Sequence, residues 1–234
     1  TESLKADYPI GVNFIGTNTG DINGDKTAIN VTSNNADVIL KGNLDAVAGT
    51  VRITANGTEK SIIQGDLAAG IKAKSINLAA GGSVGGVTNP YSIGAPIKPG
   101  LTVNLTGTTS TGLGALSATA ANRVVSLISR SNLVVDQVSA AGSVAAGRGK
   151  VEIFSFGSID GINQSARIQA PRVILSSLGG SVGNTADGKL LMVNTGFSAD
   201  PADRKFGDPA LDSSIDGNSR LGLTIIAAGD IGVR

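Results

Sequence analysis

Hydrophobic and polar residues alternate in short stretches of four to six residues that recur along most of the chain. Such stretches have the length of a β-strand, and alternation is the strand period, because successive side chains of a strand point to opposite faces of a sheet. The clearest examples are Val51 with Ile53, Ile76 with Leu78, Val151 with Ile153, and Leu223 with Ile225. The pattern predicts an all-β protein.

The alternating stretches belong to a repeated unit, in which small residues and then glycine follow the strand. Clear copies of this unit occupy residues 75–86, 150–161, 172–183 and 222–232. Glycine supplies the positive φ angle that a corner requires, and Asn, Asp, Ser and Thr suit the remaining turns. The unit therefore predicts a strand followed by a corner.

Two copies align beyond the unit itself. Ile71 and Ile168, which are 97 positions apart (168 minus 71), both open a strand that leads to the sequence GGSVG. A β-sandwich also has many short strands but predicts no internal repeat, whereas stacked coils of about 20–25 residues do. The repeat therefore predicts a parallel β-helix, or β-solenoid, with loop insertions, formed by residues 1–234 as one segment of a longer protein.

Two segments depart from the pattern. Apolar residues between positions 114 and 137 also fit one face of a helix, although the many β-branched residues there favour strands. Residues 195–219 show little alternation and contain five aspartates, from Asp200 to Asp216, together with two prolines. We interpret 195–219 as a long loop that projects from the shaft.

Composition narrows the function. The chain has 19 Lys and Arg against 18 Asp and Glu, a net charge of +1, so no strong field favours nucleic acid as a partner. It contains no Cys and no His, which excludes thiol and imidazole chemistry. The nearly uncharged stretch 75–122 is too rich in polar residues and glycine for membrane insertion.

Candidate catalytic motifs have a structural explanation. Residues 81–85 and 179–183 both match G-x-S-x-G, the nucleophile elbow of hydrolases, but that chemistry needs a His base and the motif occurs twice. Residues 142–150 resemble a phosphate-binding loop, yet Arg148 stands where Lys is required. We therefore predict corners at these positions, no cofactor and no enzyme.

Two acidic segments remain as candidates for binding. The turn from Asp21 to Asp25 has a spacing of oxygen ligands that suits a hard cation, but Lys26 replaces the glycine that an EF-hand needs. The aspartates from Asp200 to Asp216 offer carboxylates for glycoside cleavage, without an abundance of aromatic residues to hold sugar rings. A solvated turn and a solvated loop are the favoured interpretations, so no catalytic, cofactor-binding or metal-binding residue is predicted.

Four segments resemble the degenerate repeats of bacterial filamentous haemagglutinin-like exoproteins: INLAAGGSVGG (76–86), SARIQAPRVILSSLGGSVGN (165–184), LLMVNT (190–195) and LTIIAAGDIGV (223–233). The resemblance covers about residues 51–234. It implies a right-handed parallel β-helix, export through an outer-membrane secretion partner, and a location outside the cell or on its surface. It also implies a structural role in attachment or biofilm formation, with host or neighbouring-cell glycans and proteins as partners.

Two alternative functions stay open at this stage. One is a self-assembling extracellular filament or sheath subunit, since the final repeat, 231–234, has no polar cap and other copies of the chain could pair with it. The other is a carbohydrate-active β-helix enzyme, for which 200–216 would be the site.

Overall fold

The computed structural model describes residues 2–6, 10–12, 28–85, 100–107, 114–142, 149–184, 190–195 and 222–234. Within these ranges all regular elements are strands and none is a helix. The strands are β1 (Glu2–Ala6), β2 (Ile10–Val12), β3 (Ala28–Ser33), β4 (Val38–Leu40), β5 (Leu44–Ala55), β6 (Ile62–Gln64), β7 (Ile71–Ala80), β8 (Leu101–Leu105), β9 (Leu116–Ala120), β10 (Val124–Ser129), β11 (Leu133–Ala140), β12 (Lys150–Ser155), β13 (Ile159–Gly161), β14 (Arg167–Gln169), β15 (Arg172–Ser177), β16 (Met192–Asn194) and β17 (Gly222–Ala227). The prediction of an all-β protein is confirmed.

Parallel stacking is clearest on wall A, which runs from β1 through β3, β5, β7, β9, β11 and β14 to β16. The chain returns to this wall after 22 residues between Val31 and Ile53 (53 minus 31) and after 20 between Ala118 and Val138 (138 minus 118). One column of register partners comprises Leu4, Val31, Ile53, Leu78, Ala118, Val138, Ile168 and Val193. Repeated return of the chain to the same wall defines a parallel β-solenoid, as predicted.

Two further walls complete each coil. Wall B contains β2, β4, β6, β10, β12, β15 and β17, with an isolated bridge at Val84 that joins β6 to β10. Wall C contains the first halves of β5, β7 and β11, together with β13. β8 connects wall B to wall C, because it pairs with β10 of wall B and with the first half of β7 in wall C. The long strands β5 and β11 continue from wall C into wall A through a register shift.

The repeated unit is one strand and its corner, and not one whole coil. The units at 150–161, 172–183 and 222–232 begin with β12, β15 and β17, which stack on one another in wall B. The unit at 75–86 begins in wall A, because Ile76 pairs with Val51 and Leu116. The copies at 71–85 and 168–183 therefore share local structure but occupy different walls, so their alignment does not mean that they hold equivalent positions in a coil.

Aliphatic side chains fill the space between the walls. The strands β3, β10, β12 and β15 each alternate half-buried and buried residues along their whole length. Val151, Ile153, Val173 and Leu175 all point inward and are buried. Full burial of one such side chain stabilises the fold by about 1.5–3 kcal/mol, and no aromatic residue is needed to fill so narrow an interior.

The segment 114–137, for which a helix was the alternative, forms β9, β10 and the start of β11. Leu116 and Leu127 are buried, whereas Val124 and Ile128 face outward on the opposite side of the strand. The helical pattern therefore mixes inward and outward positions, and the strand interpretation is confirmed. The predicted loop at 195–219 lies almost wholly outside the described residues, as does the turn from Asp21 to Asp25. The right hand of the coil stays a prediction.

Candidate functional surface

The two G-x-S-x-G matches are corners, as predicted. Gly85 and Gly183 have φ angles of +73° and +70°, which favour glycine. A Cβ atom on Gly183 would also overlap the carbonyl oxygen of Gly232 in the next coil. Ser83 is buried, and its backbone N–H donates to the Ser61 hydroxyl at 2.9 Å. The geometry of these glycines therefore explains the motif without a nucleophile.

A ladder of hydroxyl groups lines the corner between walls B and C. Ser129, Ser155 and Ser177 are register partners in successive coils, and all three are buried. The Ser155 hydroxyl donates to the Ser131 carbonyl oxygen at 2.8 Å, one coil earlier. The Ser177 hydroxyl likewise donates to the Gly157 carbonyl oxygen at 2.8 Å. The buried hydroxyls of Ser155 and Ser177 are thus satisfied by the preceding coil, whereas that of Ser129 donates to Ser131 within its own coil.

A second ladder uses side-chain oxygens as acceptors just before wall C begins. The amide oxygen of Asn132 accepts from the Ser158 N–H at 3.0 Å, and the Ser158 hydroxyl accepts from the Ser181 N–H at 3.2 Å. The Ser181 hydroxyl accepts in turn from the Asp230 N–H at 3.1 Å. Asp37, Ser61 and Ser83 form a similar series at the corner between walls A and B.

A surface concavity, which we name the corner groove, lies outside the corner between walls B and C. It has a volume of about 530 Å³. Its lining comes from four successive coils and comprises Gln64, Leu67, Gly100, Thr102, Ile128, Arg130 and Phe156. The groove therefore runs across the strands, along the axis of the solenoid.

Hydrogen bonds hold one rim of the corner groove in place. The Gln64 side chain is buried; its amide nitrogen donates to the Leu67 carbonyl oxygen at 3.2 Å, and its amide oxygen accepts from the Thr102 N–H at 2.7 Å. The Asp66 carboxylate also accepts from the Ala68 N–H at 2.8 Å. Leu67 stands on this fixed turn with 74% of its surface exposed.

The rim at the other end of the groove, in its third and fourth coils, carries an aromatic ring and a cation. Phe156 is 54% exposed and meets Phe154 in an edge-to-face contact with 5.3 Å between ring centroids. Arg130 is exposed, and its backbone N–H donates to the Asn104 side chain at 3.2 Å. The ion pairs found among the described residues, Arg123 with Glu59 and Lys150 with Glu152, do not involve the Arg130 guanidinium.

The other sequence-derived candidates do not form a site in the described residues. Lys150, next to the phosphate-loop-like sequence, pairs with Glu152 at 2.7 Å, and residues 143–148 lie outside the described ranges. Asp21–Asp25 and Asp200–Asp216 also lie outside them. Within the described ranges, no group of three or more His, Cys, Asp or Glu side chains is placed to hold a metal ion.

The fold and the groove define the class of this protein as a parallel β-solenoid with hydroxyl-lined corners and an apolar, cationic surface groove. No protein-family model, curated protein or solved structure matches the chain. The resemblance to filamentous haemagglutinin-like exoproteins, and the placement within a longer protein, stay predictions. In the part of the chain that the structure describes, no helix is long and apolar enough to cross a bilayer.

Proposed function

We propose that this chain is a structural and adhesive shaft of a secreted bacterial surface protein, which mediates attachment or biofilm formation. The observation that carries the proposal is the unbroken column of eight register partners on wall A, from Leu4 to Val193. A parallel stack of this kind holds surface side chains at fixed intervals of ~4.8 Å along one axis. Such a lattice suits binding through an extended surface.

The corner ladders support the same proposal. Hydroxyl bonds from Ser155 and Ser177 tie each coil to the one before it, and they add directional contacts to the burial of aliphatic side chains. A protein that holds a cell to a surface must resist local unfolding. Hydrogen bonds within a buried corner give such resistance, because their loss would leave polar groups without partners.

The experiment that tests the proposed function measures attachment directly. Beads coated with the folded chain should be retained on bacterial or host cell layers under flow, and the soluble chain should compete with them. Beads coated with heat-unfolded chain serve as the control. Equal retention of folded and unfolded protein, or no retention on either cell type, would contradict an adhesive role.

Self-assembly into a filament or sheath is the second candidate, and one observation favours it. Leu223 is 41% exposed although its register partner Val173 is fully buried, and Ile231 is 53% exposed although its bridge partner Val182 is fully buried. The coil that contains β16 and β17 thus has inward-facing aliphatic side chains that a further coil would cover, whether it belongs to the same polypeptide or to another copy. Concentration-dependent growth in light scattering, reduced by Ile231→Asp, would distinguish assembly from a monomeric shaft.

A further inference from the structure

We propose that the corner groove binds an extended saccharide chain that carries carboxylate groups. This inference rests on the proposed adhesive function and names the class of ligand for one surface of the shaft. Three properties of the groove support it: the large apolar side chains on its rims, the cation among them, and the spacing of the coils that build it.

The apolar side chains are exposed but held in position. Leu67 stands on a turn that Gln64 and Asp66 fix, and Phe156 is oriented by its contact with Phe154. A concavity of about 530 Å³ that is lined by such apolar groups and a few polar ones has the size and lining typical of a ligand site. The C–H faces of sugar rings pack on aromatic and aliphatic side chains of this kind. Because the rims are preordered, little conformational entropy is lost when a ligand binds.

Charge determines the class of sugar. Arg130 is the charged member of the groove lining described above, and its guanidinium presents a planar set of donors that fits a carboxylate in a bidentate arrangement. No carboxylate among the described residues lies within ion-pair distance of it. An acidic sugar unit therefore gains a charge-assisted contact here that a neutral sugar lacks.

Coil spacing favours a saccharide over an acidic peptide. The groove crosses four coils, so its floor extends over three steps of ~4.8 Å, or roughly 14 Å. One hexose unit of an extended chain has a length close to one such step, so successive rings meet successive coils. Side chains on the same side of an extended peptide lie ~7 Å apart and do not match this interval.

Backbone pairing also disfavours a peptide strand at this position. Ile128 lies in β10, which pairs on one side with β8 and on the other with β12. The backbone donors and acceptors on the floor of the groove are therefore engaged with neighbouring coils, and a peptide cannot add to the sheet there. A ligand in the groove must therefore be bound by the side chains that line it.

The first experiment compares defined ligands by isothermal titration calorimetry. The probes are hexamers of galacturonate, mannuronate and glucuronate-containing hyaluronan, a fully methyl-esterified galacturonate hexamer, and hexaglutamate. At least one uronate hexamer should bind, and the ester, which keeps the backbone but has no charge, should bind about tenfold or more weakly. No binding of any uronate hexamer to folded protein overturns the proposal, and equal or tighter binding of hexaglutamate assigns the groove to acidic peptides instead.

Matched variants then locate the binding site. Arg130→Gln and Phe156→Ser should each weaken uronate binding about tenfold or more. The controls are Arg52→Gln, at an exposed arginine on wall A, and Val47→Ser, at an exposed valine in β5 outside the groove lining. Both should leave the affinity for the uronate within twofold of wild type. Circular dichroism establishes that each variant is folded. An equal loss in Arg130→Gln and Arg52→Gln would indicate unspecific charge attraction and overturn the assignment.

The bead assay separates this inference from the proposed function. If Arg130→Gln abolishes uronate binding while coated beads still attach, the shaft is adhesive through another surface, and the groove assignment stands as a saccharide site alone. If wild-type beads do not attach but the uronate binds through Arg130 and Phe156, the adhesive function fails and the groove proposal survives. Unchanged uronate binding in both groove variants overturns the groove proposal whatever the beads do.

Discussion

The Ser155 hydroxyl donates to the Ser131 carbonyl oxygen at 2.8 Å and accepts from the Gly157 N–H at 3.1 Å. One buried side chain thereby joins two coils and also closes the corner in its own coil. Because the Ser155 side chain is wholly buried, its hydroxyl is satisfied by protein partners and not by bulk water.

Substitution Ser155→Ala should therefore destabilise the protein. The Ser131 carbonyl oxygen then keeps only the Ser129 hydroxyl as a donor, and the Gly157 N–H loses its acceptor, which costs about 1–3 kcal/mol of unfolding free energy. Chemical denaturation measures this difference. Ser176→Ala, at an outward position of β15, is the control and should change the stability by less than ~0.5 kcal/mol. Equal effects of the two substitutions would contradict a special role for the ladder.

Gly183→Ala should be more disruptive than an ordinary glycine substitution. The residue has φ of +70°, and a Cβ there would overlap the Gly232 carbonyl oxygen, so both strain and collision oppose the change. We expect a loss of at least ~2 kcal/mol. Gly70→Ala is the matched control, because a Cβ at that position meets its nearest neighbour, Thr102, at 3.3 Å. In thermal unfolding, the midpoint temperature of Gly183→Ala should lie clearly below that of Gly70→Ala.

Gln64→Met should loosen the rim of the corner groove while preserving side-chain volume. The Thr102 N–H loses its acceptor, and the carbonyl of Leu67 loses its donor. Hydrogen exchange followed by NMR should show faster exchange at Thr102, with an overall destabilisation of about 1–3 kcal/mol. The control, Gln137→Met on the exposed side of wall A, should leave Thr102 exchange unchanged. Unaltered protection of Thr102 in Gln64→Met would show that its N–H does not depend on the Gln64 side chain.

Arg123→Gln should have a small effect that depends on salt. The Arg123 guanidinium pairs with the Glu59 carboxylate, but about a third of each side chain is exposed to solvent. Exposed pairs contribute about 0.2–1 kcal/mol, and screening reduces that value. Urea denaturation at low and high ionic strength should show a difference from wild type that narrows as salt is added. A difference that stays above ~1 kcal/mol at high salt would indicate a packing role for the arginine stem.

The strands and corners were predictable because both are encoded locally. The alternation at Val151 and Ile153 predicts which face of the strand points inward. The glycine at position 183 predicts a corner, because the backbone there has a positive φ angle. The assignment of strands to walls was not predictable, since the same local unit serves different walls. Ile76 and Val173 occupy matching positions in the repeat, yet the first faces inward from wall A and the second from wall B.

The corner groove was not predictable from the sequence for a related reason. Leu67 and Phe156 are 89 positions apart in the chain (156 minus 67), and only the register of the intervening coils brings them together. The sequence holds one weak indication of a surface site: Phe154 directly follows the inward-facing Ile153, so an aromatic ring stands at an outward position where alternation predicts a polar residue. Sequence periodicity predicts whether a side chain faces inward or outward. Which outward side chains become neighbours also depends on the number of residues in each coil, and the periodicity does not give that number.

Stacking of near-equivalent coils gives this molecule an adjustable length. The step from Val151 to Val173 is 22 residues (173 minus 151), and the two residues hold matching positions in wall B. Removal or duplication of a segment of that size would leave the strands above and below with compatible partners. Genetic change in such a gene can therefore extend or shorten the molecule by whole coils, and the length of the solenoid can evolve separately from the groove on its side.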